Sequence, residues 1–337
     1  MKRNLQRWIV CFLVLCLAYL PICGIAEQAA QPMRIITLAP SHTEILYALG
    51  VQDAIVGWTQ YEDYPPEVLL SEGWVPYDEY AFVSIEEELQ KQRAVVGSFT
   101  YFNEDLIEAL QPTLILAVEP LQESIANSLS EKGYNVLWFC PETLDDVFDM
   151  MIAIGEATGA KEIAEAIVAG QQEEIAMIRE ITKDLPTVKV YFEISHYGPW
   201  ALGAGSPMDQ IVAYAGGENI FADIQALAFP AENADIVDRN PDVILTPLWP
   251  NAGRDEVTTV REIVMREGYE TTEAVQNSRV YFYDSSLLKR PGPRQVTAIL
   301  KLAHLLHPYY FDNPPNSVSP WELGKIDALY LPPAPLH

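Results

Sequence analysis

Two stretches of this chain repeat one step, in which a helix ends at an amide side chain, proline follows, and an apolar strand begins. IEALQPTLILA (107–117) and IVDRNPDVILT (236–246) both follow this pattern. Proline cannot continue a helix, so each step marks the end of a helix before a strand. A second pair, ILYALG (45–50) and IVAYAG (211–216), shares a helix stopped by glycine. The repeats predict two lobes of similar design.

Strands alternate with helices in both halves, a pattern typical of an α/β fold with mostly parallel sheets. We predict two Rossmann-like lobes over 33–143 and 187–310, joined by one long connecting helix over 144–185 that stops at Pro186. Gly155 and Gly159 suggest a break near the start of this helix. A helical joint without a flexible linker predicts little hinge motion. The remaining segment, 311–337, is rich in proline and aromatic residues and is expected to pack along the surface.

The first lobe opens with a predicted strand over Arg34–Ala39, followed by a helix over His42–Gly50. Ser41 is followed three residues later by Glu44, a spacing that is typical of a capping box at a helix N-terminus. The sequence therefore assigns Glu44 a local role at the start of this helix.

Residues 1–26 are predicted to be a secretory signal peptide, because a basic start precedes a short apolar run and small residues stand before a cleavage point after Ala26. A retained N-terminal anchor and lipid attachment at Cys23 are the alternatives. Cleavage after Ala26 would remove three of the four cysteines and leave Cys140 alone, so no internal disulfide is expected in the mature chain.

The chain is strongly acidic, with 47 acidic and 21 basic residues and a formal net charge of −26. Nucleic acid and anionic membrane surfaces repel such a chain. We expect an exported, monomeric protein at the cell surface or in the periplasm.

Aromatic residues are concentrated in the loops that follow the predicted strands. Ligands of parallel α/β sheets lie at the carboxyl ends of the strands and often between domains, so these loops are where a binding site is expected. Aromatic side chains suit a large, partly apolar ligand. The candidate ligand-binding residues are Trp58, Tyr61, Tyr64, Trp74, Phe99, Tyr101, Tyr197, Trp200, Phe229 and Trp249.

Several motifs together resemble the periplasmic binding proteins of the helical-backbone class, which serve ABC importers of cobalamin and ferric siderophores. They are RIITLAPSHTEILYALG, DYPPEV, the two helix–proline–strand steps, GSPMDQIVAYAGGENIFADI, and RPGPR leading to LAHLLHP. They extend from Arg34 to Pro308, which is nearly the whole mature chain. The chain looks most similar to cobalamin-binding members.

The resemblance implies roles for individual residues. Tyr64 of the DYPP stretch corresponds to a pocket-lining tyrosine, Phe99 or Tyr101 to the next aromatic loop, and Trp200 and Phe229 to the aromatic positions of the second lobe. The family also docks onto its permease through one surface carboxylate in each lobe. The candidates are Glu104 and Asp105 in the first lobe and Asp235 in the second, where Ala234 stands at the usual acidic position.

Other ligands remain as alternatives. A neutral hydroxamate siderophore would also suit aromatic walls, whereas an anionic catecholate complex would need several cations in the cleft. Arg290 and Arg294 are predicted instead to cap the helix that follows them. Haem would need an axial ligand such as His42, His196 or a tyrosine.

No metal or cofactor is predicted, because the five histidines do not supply a converging ligand set. An exported enzyme is the remaining alternative. It is disfavoured because the chain contains neither a GxSxG nucleophile elbow nor a strand–GxGxxG–helix phosphate loop.

Overall fold

The computed structural model describes residues 32–71, 81–118, 120–194, 198–204, 206–248 and 260–311. The predicted signal peptide and nearly all of the predicted tail lie outside these ranges. Within them, no helix has the length and apolar character needed to cross a membrane.

The first lobe is built on a five-stranded sheet in the order β3-β2-β1-β4-β5. All neighbouring strands are parallel, as the alternation of strands and helices predicts. The strands are β1 (Ile35–Thr37), β2 (Ile55–Thr59), β3 (Ala94–Gly97), β4 (Leu114–Val118) and β5 (Val136–Phe139).

The second lobe contains a four-stranded parallel sheet in the order β11-β10-β6-β8 and a small antiparallel pair, β7 with β9. The two-lobed, mostly parallel α/β prediction is therefore confirmed. The strands are β6 (Val188–Phe192), β7 (Trp200–Ala201), β8 (Gly217–Asn219), β9 (Phe229–Pro230), β10 (Val243–Leu248) and β11 (Val280–Asp284).

The α-helices cover the faces of the two sheets, and short 3-10 turns occupy 52–54, 66–70 and 269–271. The helices are α1 (Pro40–Ala48), α2 (Ile85–Glu88), α3 (Glu104–Leu110), α4 (Glu123–Glu131), α5 (Leu144–Thr158), α6 (Lys161–Thr182), α7 (Pro207–Tyr214), α8 (Asn233–Arg239), α9 (Val260–Val264), α10 (Glu273–Gln276), α11 (Ser285–Lys289) and α12 (Gln295–Leu306).

The repeated step recurs in the backbone itself. Gln111 ends α3 at φ 48°, and Asn240 ends α8 at φ 47°; each precedes proline and an interior strand of its sheet. Gly50 and Gly216, which follow α1 and α7, have φ of 73° and 80°. The left-handed conformation at all four positions accounts for the amide and glycine residues that the sequence places there.

Two helices occupy the predicted connecting segment, and the break that Gly155 and Gly159 suggest near its start is confirmed. Gly159 adopts φ 76° and ends α5, and α6 begins two residues later. Gly155 allows the close approach that follows, because a Cβ there would lie 2.6 Å from that of Ala164. The 22 residues of α6 span about 33 Å, so α6 is the long element of the joint.

The predicted capping box is also wrong. The helix begins at Pro40, whose fixed φ suits the first helical turn, and Ala39 is the N-cap without a side-chain hydrogen bond. Glu44 consequently lies in the second turn, where its carboxylate reaches the other lobe.

A continuous hydrophobic cluster joins the lobes. It contains first-lobe residues such as Ile45 and Leu116, residues of α5 and α6, and second-lobe residues such as Val190 and Leu245. Two smaller clusters lie on the other faces of the sheets. The lobes therefore share core packing, which agrees with the limited hinge motion expected from a helical joint.

Candidate ligand-binding site

Parallel pairing brings the carboxyl ends of the strands to one edge of each sheet. Four of the predicted site residues follow β2 or β3 at such an edge: Tyr61, Tyr64, Phe99 and Tyr101. Tyr101 follows β3 and is 75% exposed. Its loop is held by hydrogen bonds between Ser98 and Tyr101, one of 2.8 Å between backbone groups and one of 3.2 Å from the Tyr101 N–H to the serine Oγ. Only glycine fits at position 97, because a Cβ would lie 2.2 Å from the Tyr101 carbonyl oxygen.

Trp200 presents a second exposed aromatic surface, in the other lobe. It forms the short strand β7, which pairs with Pro230, and its carbonyl accepts a 3.0 Å hydrogen bond from the Ile194 N–H just beyond β6. The indole is 41% exposed. Phe229, on the partner strand, is half-buried and packs edge-on against Phe221 at 5.2 Å.

Trp58 does not belong to this set. It lies within β2, is 1% exposed, and packs in the cluster that joins the lobes. The prediction that Trp58 lines a ligand cleft is therefore wrong. Its apolar strand context, rather than the loop after it, decides where its side chain lies.

The other described aromatics are partly buried. The Phe99 carbonyl accepts a 3.0 Å hydrogen bond from Gln122 Nε2. Tyr61 and Tyr64 follow β2 and touch the second lobe: Arg290 Nη2 donates to the Tyr61 carbonyl at 3.1 Å, and the Arg294 guanidinium carbon lies 4.1 Å from the centre of the Tyr64 ring. Trp74, Tyr197 and Trp249 lie outside the described residues, as does His196.

Four charged side chains, Glu44, Asp63, Arg290 and Arg294, form a cluster across the lobe interface, which we call the interlobe charge cluster. Arg294 donates two hydrogen bonds to Glu44, of 2.8 and 2.6 Å. Arg290 donates to Glu44 at 3.2 Å and also to Asp63. Ser286 Oγ adds a 3.4 Å hydrogen bond to Asp63.

The cluster has two positive and two negative charges, and its side chains are largely shielded from water. A buried pair with several hydrogen bonds fixes relative position more than it adds stability, since both charges lose their hydration. The predicted capping role of Arg290 and Arg294 is wrong: α12 has no side-chain cap at its N-cap residue, Arg294. Sequence reasoning missed the pairing because up to 250 residues separate the partners.

The second lobe has a buried ion pair of its own. Glu193 follows β6 and is fully buried. Its carboxylate accepts hydrogen bonds from Nη1 and Nη2 of Arg266, the one from Nη2 at 2.9 Å. Burial raises the pKa of Glu193, although the Arg266 hydrogen bonds and charge pull it down. Lys289 donates to the Ile194 carbonyl at 2.9 Å, and burial lowers the pKa of Lys289 to about 8.

Two titratable groups are buried beneath the strand ends of the first lobe. Burial raises the pKa of Glu62 to about 7, even though the Arg290 charge and a 2.9 Å hydrogen bond from Thr59 Oγ1 favour its ionised form. Burial lowers the pKa of His42 to about 4, so this imidazole is neutral at physiological pH. Among the described residues, no group of three His, Cys, Asp or Glu side chains could hold a metal ion.

The predicted docking carboxylates lie in the first turns of α3 and α8, at equivalent points of the two repeats. Asp105 and Asp235 are exposed. Glu104 is instead paired with Lys132 at 2.5 Å and accepts a 3.2 Å hydrogen bond from Ser128. Asp105 is therefore the more available carboxylate of the first lobe.

Comparison with known proteins identifies the family. Residues 35–287 match the family described as periplasmic binding protein. The chain is 28% identical over 289 residues to an uncharacterized ABC transporter substrate-binding lipoprotein, YvrC, of Bacillus subtilis, with 83% of this chain and 82% of the relative covered. It is 26% identical over 286 residues to a cobalamin-binding protein of Halobacterium salinarum, with 82% and 70% covered.

A periplasmic heme-binding protein from Roseiflexus shares the fold, with a TM-score of 0.66 and 24% identity over 82% of this chain and 98% of that one. At this level of identity the likeness concerns architecture alone. Because the family match extends over well more than half of the sequence, the chain belongs to the periplasmic binding protein family.

Proposed function

We propose that this protein is the substrate-binding component of an ABC importer, and that it captures cobalamin or a related corrinoid between its lobes. The observation that carries the proposal is the pair of exposed aromatics, Tyr101 and Trp200, at strand ends of opposite lobes. A corrin ring is broad and largely apolar, so aromatic faces on both sides suit it. Tyr61, Tyr64, Phe99 and Phe229 are proposed to line the same site.

The charge arrangement favours a ligand without strong negative charge. Near the strand ends, Arg266, Arg290 and Arg294 are each bound to carboxylates. An anionic catecholate complex would have to break these buried pairs, each at a cost of several kcal/mol. Cobalamin has neutral amides and would bind without breaking these ion pairs. The cobalamin-binding relative from Halobacterium salinarum agrees with this choice.

Haem is the second candidate, because a heme-binding protein shares the fold. Its iron would need an axial ligand. His42 is fully buried and packs edge-on against Phe139 at 5.9 Å, so it would have to leave the core to reach a haem. A tyrosine could still serve as ligand.

A titration of the purified protein with cobalamin, followed by absorbance and calorimetry, tests the proposal, with haem and a ferric hydroxamate as comparators. We expect tight one-to-one binding of cobalamin. Tight binding of haem or the hydroxamate, without cobalamin binding, would refute the choice of ligand and retain the binding-protein role.

Alanine at both Tyr101 and Trp200 tests the site. Each ring should contribute about 1–3 kcal/mol through buried apolar area, so the double variant should bind cobalamin about 100-fold more weakly. Both side chains are exposed, and the fold should be retained. Tyr309→Ala is the matched control, because Tyr309 is exposed in the turn after α12. Unchanged affinity in the folded double variant would contradict the assignment.

The same proposal includes delivery to a membrane permease and an extracytoplasmic location. Asp105 and Asp235 are proposed to pair with cations of the permease, since charge pairs at a rim set orientation and encounter rate. Asp105→Lys and Asp235→Lys should lower transport in reconstituted vesicles without altering cobalamin affinity. Glu108→Lys, on the same helix as Asp105, is the control. Transport that survives both substitutions would exclude these carboxylates from docking.

A further inference from the structure

A groove beside α1 holds both of the arginines that are buried among the described residues. It has a volume of about 730 Å³, and its lining includes Arg93, Arg294, Tyr47 and Tyr64. Each arginine is 6% exposed. The groove runs from the interlobe charge cluster toward the amino ends of β2 and β3, where Gln52 and Arg93 lie. Most of its lining therefore lies away from the proposed cobalamin site at the carboxyl ends, and Tyr64 borders both sites.

The two arginines differ in their partners. Arg294 is bound to the Glu44 carboxylate through two short hydrogen bonds. Arg93 makes no ion pair with any described carboxylate. Its hydrogen bonds go to two neutral acceptors, Ser71 Oγ at 3.3 Å and the Gln52 carbonyl at 3.2 Å. Its buried Nε has no hydrogen-bond partner in the described part of the chain.

Aromatic rings supply the remaining stabilisation of Arg93. Its guanidinium carbon lies 5.3 Å from the centre of the Trp58 ring and 6.0 Å from that of Tyr47. Such contacts contribute about 0.5–2 kcal/mol each, which is less than the cost of removing an isolated cation from water. Five N–H donors in a planar fork suit a carboxylate or a phosphate, and Arg93 uses only part of them.

That no carboxylate of the described residues pairs with Arg93 is unexpected in a chain that has 47 acidic and 21 basic residues. We propose that the groove binds a small organic anion whose carboxylate or phosphate pairs with Arg93. The volume exceeds that of an inorganic anion and falls in the range of small-molecule sites. Gln92 and Thr297 supply further polar groups, and Tyr47 and Tyr64 supply apolar surface for the body of the ligand. The proposal does not depend on cobalamin binding.

Calorimetric titration at low ionic strength tests this site, with inorganic phosphate and malonate as separate probes. We expect saturable one-to-one binding of at least one probe, and the preferred probe distinguishes a phosphate from a carboxylate ligand. Arg93→Gln should weaken binding about tenfold or more, since a charge-assisted hydrogen bond is lost. Arg34→Gln is the control, because Arg34 is also partly buried and its guanidinium donates to the Leu110 carbonyl, outside the groove. Cobalamin affinity should be unchanged in both variants.

Arg93 also packs in the core, so a second variant keeps the test decisive if Arg93→Gln does not fold. Glu67 lies at the groove and repels an anion. Glu67→Gln should strengthen anion binding about twofold to threefold, whereas Thr297→Glu should weaken it. The proposal would be overturned if Glu67→Gln and Thr297→Glu both left the affinity for the anion unchanged, or if neither probe bound.

Discussion

The two lobes repeat the same strand–helix design but neutralise their buried acids differently. In the first lobe, Glu44 and Asp63 receive their cations from Arg290 and Arg294 of the second lobe. In the second lobe, Glu193 is paired with Arg266 of the same lobe. The first lobe therefore depends on the second for the charge balance of Glu44 and Asp63, although its buried Glu88 is paired with Lys91 of the same lobe. The second lobe balances the charge of Glu193 itself.

This difference indicates that the interlobe charge cluster holds the lobes in register. The hydrophobic cluster that joins them is extensive but non-directional, so it does not by itself define one orientation. Short hydrogen bonds from Arg294 to both Glu44 oxygens are directional. Gln171, on the long helix α6, donates a 2.7 Å hydrogen bond to the Pro293 carbonyl, which ties the arginine-bearing loop to the joint.

The largest expected effect comes from removing one acid from each lobe. Glu44→Ala and Glu193→Ala should each lower the free energy of unfolding by about 3–5 kcal/mol, because each leaves an arginine that is largely shielded from water without its carboxylate. Only Glu44→Ala should also weaken ligand binding and increase hydrogen exchange near residues 290–294. Denaturant unfolding measures the first effect, and exchange and titration measure the second.

Glu193→Ala serves as the matched control for this comparison. If it disturbs exchange at 290–294 as strongly as Glu44→Ala does, then the cluster has no special role between the lobes. If Glu44→Ala leaves stability unchanged, the buried pair with Arg294 is not formed in solution.

The pH dependence of stability provides a second test of the first lobe. The pKa of Glu62 is raised to about 7, so between pH 4.5 and 7 the folded state binds the additional proton and this group stabilises the fold less as the pH rises. The pKa of His42 is lowered to about 4, so its contribution is lost as the pH falls from 6.5 toward 4. These opposing terms should leave the wild-type profile comparatively flat.

Glu62→Gln should remove the contribution of Glu62 to the pH dependence of stability and leave that of His42. Relative to wild type, the variant should lose about 3 kcal/mol of stability on going from pH 7.5 to 4.5, from the size of the Glu62 shift. Unfolding by denaturant at several pH values measures it. Glu67→Gln, at an exposed carboxylate of the same lobe, should follow the wild-type profile. Parallel profiles for Glu62→Gln and wild type would show that Glu62 ionises normally in the folded protein.

Sequence reasoning succeeded where the signal is local. The left-handed residues Gln111 and Asn240, each before a proline, marked the repeated step directly, and Gly159 marked the break in the joint. The exposed positions of Tyr101 and Trp200 also agree with their location after strands.

The interlobe charge cluster carries no such local signal. Glu44 stands in a plausible capping pattern and Arg294 at a plausible helix start, and 250 residues separate them. Their pairing is decided by how the lobes pack, which a single sequence does not encode in any short window. Trp58 was misassigned because it belongs to an interior strand of the sheet, and such strands are covered on both faces.

The glycines that end the equivalent helices α1 and α7 provide the smallest and most closely matched test of the two lobes. Both have positive φ, so alanine at either position should cost about 1–2 kcal/mol from backbone strain. A Cβ at Gly50 meets open space, whereas one at Gly216 would lie 2.6 Å from His307 Nε2 and 2.8 Å from Thr182 Cβ. Gly216→Ala should therefore cost about 1–3 kcal/mol more than Gly50→Ala. Denaturant midpoints for the two variants measure the difference. Equal losses of stability in the two variants would mean that Thr182 and His307 move aside to accept the added Cβ. The second lobe would then be packed less tightly against α6 than these distances indicate.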